Sequence, residues 1–488
     1  MGNKMISEAV MRLTRRQVLA AGGVFAAAMA LPGGLRRAVA ATAGFDYYIG
    51  PNGSDSNAGT QASPWAITAL NSKRTTYAGK RVGMLDGTYN LVDILGQPSG
   101  PFDTNQLLVQ GGTAASPTIL QSVNLHGAII DGDRPRCTTG AECGLIGPHS
   151  SYLVFDGLKL IRANYRAITN TLVADYFTVQ NCWFNDQVFE VGTGGGKNSA
   201  TLFMQRTVGS MVSNCRFEQA GSPIDTNRHA FVQFYEATDC VVEYCTIIGN
   251  ATPPSGNGVH FKDVNNKHLT VRNCFIDQTN STNSFSKECI LWHGNGGTDG
   301  KETCHHNVLI AGNYAAPLCS EGNSSSWDIY NNTIIGNPKY SQAGLDHLEL
   351  GSPTINVYNN IFSRQQLGSR GDMSLPAIGR IGNVDYNLYD SSPALQVQVA
   401  GSTTAGSLSA WQTLSGKESH SQQTADPLFV GTGVDAAKWQ LQSTSPAKKL
   451  GAGSTEIGAW AGQTQIGCDF SGAAAAKRPS SPTLDKVT

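Results

Sequence analysis

The hydrophobic positions of this chain follow one recurring frame: an apolar residue, two variable residues, a fixed "ladder" position, one variable residue, and a second apolar residue. Val179, Cys182 and Phe184 fill it first in clear form. Val212…Cys215…Phe217, Val242…Cys245…Ile247 and Val271…Cys274…Ile276 repeat it. Cys304…Asn307…Leu309, Ile329…Asn332…Ile334, Val357…Asn360…Phe362 and Val384…Asn387…Tyr389 continue it, with Asn replacing Cys at the ladder position. Ile129…Gly132 and Val154…Gly157 are weaker members upstream. Successive ladder positions lie 25 to 33 residues apart. No helical or heptad period has that spacing, whereas one coil of three short strands and their turns does.

Stacking such coils at about 4.8 Å pairs each strand with its copy on the next coil. The apolar slots then become interior columns, and the ladder positions become stacks of like side chains along the axis. The pattern therefore predicts an all-β solenoid, a parallel β-helix of about ten or more coils. Cys182, Cys215, Cys245 and Cys274 are expected to be buried structural thiols, and Asn307, Asn332, Asn360 and Asn387 a structural Asn ladder. Open ends of a stack need covering, and Ala66 to Ala78 is expected to supply a short N-terminal capping helix.

The first residues follow different rules. Thr14-Arg15-Arg16-Gln17-Val18-Leu19 is a twin-arginine pattern, followed by an apolar stretch to Leu31 and small-x-small sites ending at Ala40 and Ala43. This reads as a Tat export signal over residues 1–43, with cleavage after Ala40 or Ala43. The stretch is too short to span a bilayer. The expected product is a soluble monomer in the periplasm or outside the cell, with no membrane partner after cleavage. The β-helix is expected over 44–462, and the Ala-, Pro- and Ser-rich residues 463–488 as a disordered tail.

Composition adjusts this picture in two respects. Residues 1–40 hold six Lys/Arg and one Glu, a balance of +5, and the whole chain is −1, so the remainder is −6. A mildly acidic surface argues against nucleic acid as a partner. Any polyanionic ligand must then be met by a local basic site. Of the 11 Cys, Cys137 and Cys143 flank a short loop and are candidates for a disulfide.

Several segments resemble a known family. Tyr47-Tyr48-Ile49-Gly50-Pro51-Asn52-Gly53-Ser54-Asp55, then Gly59-Thr60 and Pro64-Trp65, resemble the opening of exported right-handed parallel β-helix proteins, the pectate-lyase-like superfamily. Gly87-Thr88-Tyr89 resembles that family's first strand turn. Ala425-Asp426-Pro427-Leu428-Phe429-Val430, Trp439-Gln440-Leu441, Ser445-Pro446-Ala447 and Ile457-Gly458-Ala459 resemble its closing segment. The resemblance implies right-handed coils and a place among proteins that include polysaccharide lyases, hydrolases and epimerases. It also raises Ca2+ as a cofactor, although the sequence holds no clear copy of the acidic calcium cluster of pectate lyases. The paired-Asp signature of the β-helix pectin hydrolases is missing as well. No metal ligands are assigned.

Candidate chemistry gathers on the strand upstream of each ladder strand. Leu202 and Met204, Val232 and Phe234, Val259 and Phe261, Ile290 and Trp292, and Leu348 and Leu350 are expected to point inward. Alternation then turns Phe203 and Gln205, Gln233 and Tyr235, His260 and Lys262, and His293 outward, with Glu321 and Glu349 following. Neighbouring members lie about 5–10 Å apart. A single outward polar side chain is commonly just solvated, but Tyr, His, Lys and Glu converging on one face is chemistry. Long inter-coil loops precede strands of this same face, as loops walling a binding surface do. Arg228 and His229 end one of them.

These residue types suit cleavage of a uronate-containing glycan by β-elimination. That reaction needs a base for the C5 proton, a cation for the charge that builds on the carboxylate, and an acid for the leaving oxygen. Lys262 and His293 are the candidate base, neutraliser or acid, and Tyr235 the proton donor. Arg228, His260, Glu321 and Glu349 are the candidate substrate-binding residues. Glu321 and Glu349 also suit the alternative of a glycoside hydrolase, and a non-catalytic carbohydrate-binding protein is the third reading. His305-His306 beside Asn307 reads as ladder neighbourhood, and Gly194-Gly195-Gly196-Lys197 lacks the spacing of a phosphate loop.

Overall fold

A computed structural model describes residues 44–471 except 97–105, 137–142, 171–173, 189–198, 222–228, 253, 263–264, 283–287, 294–299, 313–315, 322–325, 337–344, 348–353, 364–372, 391–396 and 400–402. The twin-arginine segment and the suggested Cys137–Cys143 pair therefore lie outside the described residues or depend on them.

Three twelve-stranded sheets run the length of the molecule, and each pairs a strand with its copy on the next coil. Each coil visits them in turn. The ladder sheet includes Phe177–Gln180 and Met211–Ser213. The second sheet includes Trp183–Val188 and Arg216–Gly221. The third, which carries the candidate site, includes Ser199–Gln205, His229–Tyr235 and Asn257–Lys262. Among the described residues, the strand pairings within these sheets are parallel except that of Val397–Val399 with Thr403–Ala405. This is a right-handed parallel β-helix. In place of one capping helix, two four-residue helical turns, Ala69–Ser72 and Arg74–Tyr77, fall in the expected range. Among the described residues no helix is long and apolar enough to cross a membrane.

The ladder closes the turn between the first two sheets. From Asn181 to Tyr386, the residue before each of the eight clear ladder members has φ between 51° and 58°. Most of them are Asn, which tolerates this left-handed conformation. Cys182, Cys215, Cys245 and Cys274 are fully buried and unpaired by disulfides. Burial holds the Cys215, Cys245 and Cys274 thiols well above their ordinary pKa, in their neutral form. The Asn stretch is hydrogen-bonded end to end. Asn307 Nδ2 donates to Asn332 Oδ1 at 3.0 Å, Asn332 Nδ2 to Asn360 Oδ1 at 3.0 Å, and Asn360 Nδ2 to Asn387 Oδ1 at 3.3 Å. The two ladders join where Asn307 Oδ1 accepts from the Cys274 backbone at 2.9 Å.

The two weak members are corrected. Phe155 pairs with Val179, so Leu158 is the counterpart of Cys182 and Gly157, at φ 68°, takes the left-handed position before it. Ile129 belongs to the second sheet, so Gly132 is no ladder member.

The ladder ends on a buried carboxyl. Asn387 Nδ2 donates to Glu418 at 3.2 Å, Tyr389 Oη donates to Glu418 Oε1 at 2.5 Å, and Ser421 Oγ donates to Oε2. Burial raises the Glu418 pKa and outweighs these three donors. A folded pKa above the unfolded one means that this stabilising contribution is complete below the unfolded carboxyl value, about 4.3. It is lost as pH rises through the folded value. Glu418→Gln should therefore raise the melting temperature at neutral pH more than at pH 4, measured by calorimetry across that window.

The outer face of the second sheet is apolar in its later coils. Phe275, Val308, Ile335 and Ile361 pack there under Phe429, Trp439, Leu441, Leu450 and Ile457 of the C-terminal segment. The chain then runs back along the coils. Gly458 N donates to Asn359 O at 3.0 Å, Gly467 N to Asn273 O at 2.8 Å, and Asp469 N to Asn214 Oδ1 at 2.7 Å. The Phe470 ring ends 4.5 Å from that of His126. Residues 463–471, expected to belong to a disordered tail, are thus bound along the helix. Composition marks the tail but not the Gly467 and Asp469 backbone donors, which find partners more than 190 residues away.

Candidate active site

Register defines the third sheet's outer face. Leu202, Val232, Val259, Ile290 and Leu318 align in one inward row. Inside, Phe234, Phe261, Trp292 and Trp327 form a stack with ring centroids 4.5 to 5.5 Å apart. The next outward row is Thr169, Phe203, Gln233, His260, Leu291 and Cys319, continuing to Asp346. Two residues further along each strand lies a second outward row: Gln205, Tyr235, Lys262, His293 and Glu321.

The first row is not a solvated surface. Gln233 and His260 are 0% and 1% exposed, and Leu291 and Cys319 pack with Ala316 in a small apolar cluster of their own. Tyr235 and Lys262 are half-buried, so the second row forms the accessible border of the face. Of the sequence-predicted residues, Tyr235, Lys262, His293 and Glu321 therefore occupy one register row on four consecutive coils. For His293 and Glu321 only the backbone is described. His260 lies on the same face but fully buried, which corrects its expected solvent-facing role. Arg228 and Glu349 lie outside the described residues. His229 is fully buried, and desolvation lowers its pKa to about 3, so it is a neutral ring at any working pH.

Sequence reasoning missed Arg166. Strict alternation from Ile168 would turn it inward. The strand instead bends, with Ala167 and Ile168 both in the main core, as are Phe231 and Val232 two coils further along the sheet. The bend returns Arg166 to the outer side, where its guanidinium lies 3.8 Å from the Phe203 ring centroid and 4.3 Å from that of Tyr165. Its Nη2 donates to Tyr165 Oη at 2.7 Å. Phe203 lies in turn 6.4 Å from the Tyr235 ring. The face thus joins a cation held on aromatic rings, a tyrosine and a lysine. The only signal in the sequence would have been the paired small and apolar residues at the bend.

Among the described residues no three His, Cys, Asp or Glu side chains converge to hold a metal. Asp131, which ends a strand of the second sheet, and Asp133 just beyond it are engaged by Arg162 and Arg136. The described donor set does not fit a calcium centre.

No protein-family model matches the sequence, and no curated protein does. Among solved structures, a pectate lyase, Pel9A, matches with TM-score 0.53 at 15% identity, over 85% of this chain and 95% of its own. The chain shares the parallel β-helix fold of this lyase. A rhamnogalacturonan lyase matches this β-helix at TM-score 0.46 and 14% identity, over 82% of this chain and 95% of its own. A mannuronic-acid-specific family 6 lyase from human gut microbiota matches at 0.40 and 11%, over 72% of this chain and 81% of its own. At these identities the likeness is one of fold.

Proposed function

We propose that this β-helix is an exported polysaccharide lyase that cleaves a uronate-containing glycan by β-elimination. The observation that carries the reading is the register row Tyr235–Lys262–His293, whose Tyr235 and Lys262 are half-buried at the border of an otherwise buried face and adjoin the ring-held Arg166. The pectate lyase Pel9A, which shares the fold, supports a glycan as substrate.

In this reading Lys262 takes the proton from C5 of the uronate. The electron pair of that C–H bond forms the C4–C5 double bond, and the C4–O bond to the leaving sugar breaks. Tyr235 gives its phenolic proton to the departing oxygen. The charge that builds on the uronate carboxylate is met by a cation, for which Arg166 is placed on the same face. The product carries an unsaturated uronate, which absorbs in the ultraviolet and is not formed by hydrolysis. Incubating the mature protein with pectate, rhamnogalacturonan, alginate and neutral glycans, while reading absorbance and new reducing ends, tests this. Reducing ends without absorbance would establish the hydrolase alternative instead.

Export rests on Arg15 and Arg16. Replacing both with Lys should leave the protein in the cytoplasm with its fold intact, because the motif is read by a receptor and not by the β-helix. Fractionation and immunoblotting check this, and normal export of the double variant removes the assignment.

A further inference from the structure

On the outer face of the third sheet, one side chain is buried without any hydrogen bond. Gln233 is 0% exposed, and neither its Oε1 nor its Nε2 has a partner. It lies between Phe203 and His260 in the first outward row, and Tyr235 follows it two residues along the same strand. On the next coil Asn257 is likewise buried with an unpartnered Nδ2, although its Oδ1 accepts from Glu288 N at 3.3 Å. Asn257 pairs in register with Ala230, which packs with Phe203 on the outer side. The orphaned Gln233 amide and the unpartnered Asn257 Nδ2 thus share one face with the candidate catalytic row.

Burying an amide without partners costs stability, because its lost hydrogen bonds to water are not replaced. Side chains of the same size without that cost are available, and Leu is one. An orphaned donor and acceptor kept beside a border of half-buried Tyr235 and Lys262 is what a site built to pair with a ligand has before the ligand arrives. A primary amide offers one acceptor and two donors in a plane. Vicinal sugar hydroxyls, each both donor and acceptor, complement it. A carboxylate, which only accepts, would leave the Gln233 oxygen unpaired.

We propose that Gln233 is a substrate-specificity residue that reads a pair of neighbouring hydroxyls on one sugar ring of the glycan, entering from the Tyr235 side, with Asn257 Nδ2 as a supporting donor. This deepens the lyase reading and rests on its choice of face, but not on its chemistry. A site that hydrogen-bonds a substrate hydroxyl discriminates strongly against an analogue lacking it, because the protein's own polar group is then left unpaired.

The test is Gln233→Leu, read by two measurements that a structural role and a binding role move oppositely. Thermal unfolding should show the variant at least as stable as the wild type, because two orphaned polar atoms are removed. Calorimetric titration with short oligosaccharides of pectate, rhamnogalacturonan and alginate should show at least tenfold weaker binding of whichever the wild type binds. Gln233→Glu, which loses the donors, should also bind more weakly. Unchanged affinity in Gln233→Leu overturns the proposal and leaves the amide paired to a structural water. A clear loss of stability overturns it too, because the amide then supports the fold. Failure of the lyase reading is separate: Gln233-dependent binding without unsaturated product ends that reading and keeps this one. If the wild type binds no oligosaccharide in the panel, both fall.

Discussion

In the Lys262→Ala variant, release of unsaturated uronate should fall by about two to four decades, the usual worth of a positioned acid or base. The thermal transition should hardly move. Lys262 is half-buried at the end of its strand, and truncating such a position removes little packing. A second substitution separates its two possible roles. If Lys262 is the base, Lys262→Arg should be as inactive as the Ala variant, because a guanidinium does not give up its proton. If Lys262 only neutralises the uronate carboxylate, Arg should retain much of the activity. Initial rates on a cleavable glycan at saturating concentration check both. Tyr235→Phe should lower turnover without matching the Lys262→Ala effect, since the leaving oxygen can still take a proton from water.

The largest stability effect is expected inside the helix. Cys245→Asp places a carboxylate between Cys215 and Cys274 in a fully buried column, with no cationic partner at its place. Cys245 Sγ donates to Glu243 O at 3.3 Å and to Val212 O at 3.8 Å, and a carboxylate there would repel both oxygens. An uncompensated buried charge of this kind costs on the order of 3–5 kcal/mol, enough to lower the denaturation midpoint sharply or prevent folding. Cys245→Ala, which leaves only a small cavity, should cost much less. Thiol labelling of the native protein is an independent check. Cys245 should react only on unfolding, and rapid native labelling would show that the column is misplaced.

The β-helix was legible in the sequence because each coil repeats its own evidence. Eight ladder members carry the same residue types at the same place in the frame, and in the structure they form two joined stacks. Gly157 misled because it takes the left-handed turn position and not the interior one, and Gly132 because its Ile129 lies in the second sheet; only strand pairing shows either. The outer face of the third sheet was legible as a row but not as an environment. Alternation placed Tyr235, Lys262, His293 and Glu321 together, yet it could not show that Gln233 and His260 are covered. Arg166 stayed hidden because a bend at Ala167–Ile168 breaks the alternation that sequence reasoning depends on. The C-terminal run along the coils was hidden differently. Its contacts, such as Asp469 with Asn214, join residues 255 apart, and no local pattern announces them.

A structure of the Lys262→Ala variant with an oligosaccharide of the cleaved glycan tests the central claim most directly. The account predicts that the sugar chain lies over the third sheet, crossing the Tyr235–Lys262–His293 row. One uronate C5 should face position 262, and the oxygen of the bond to be broken should face Tyr235. A glycan bound along the ladder sheet, or with C5 directed away from position 262, would contradict it.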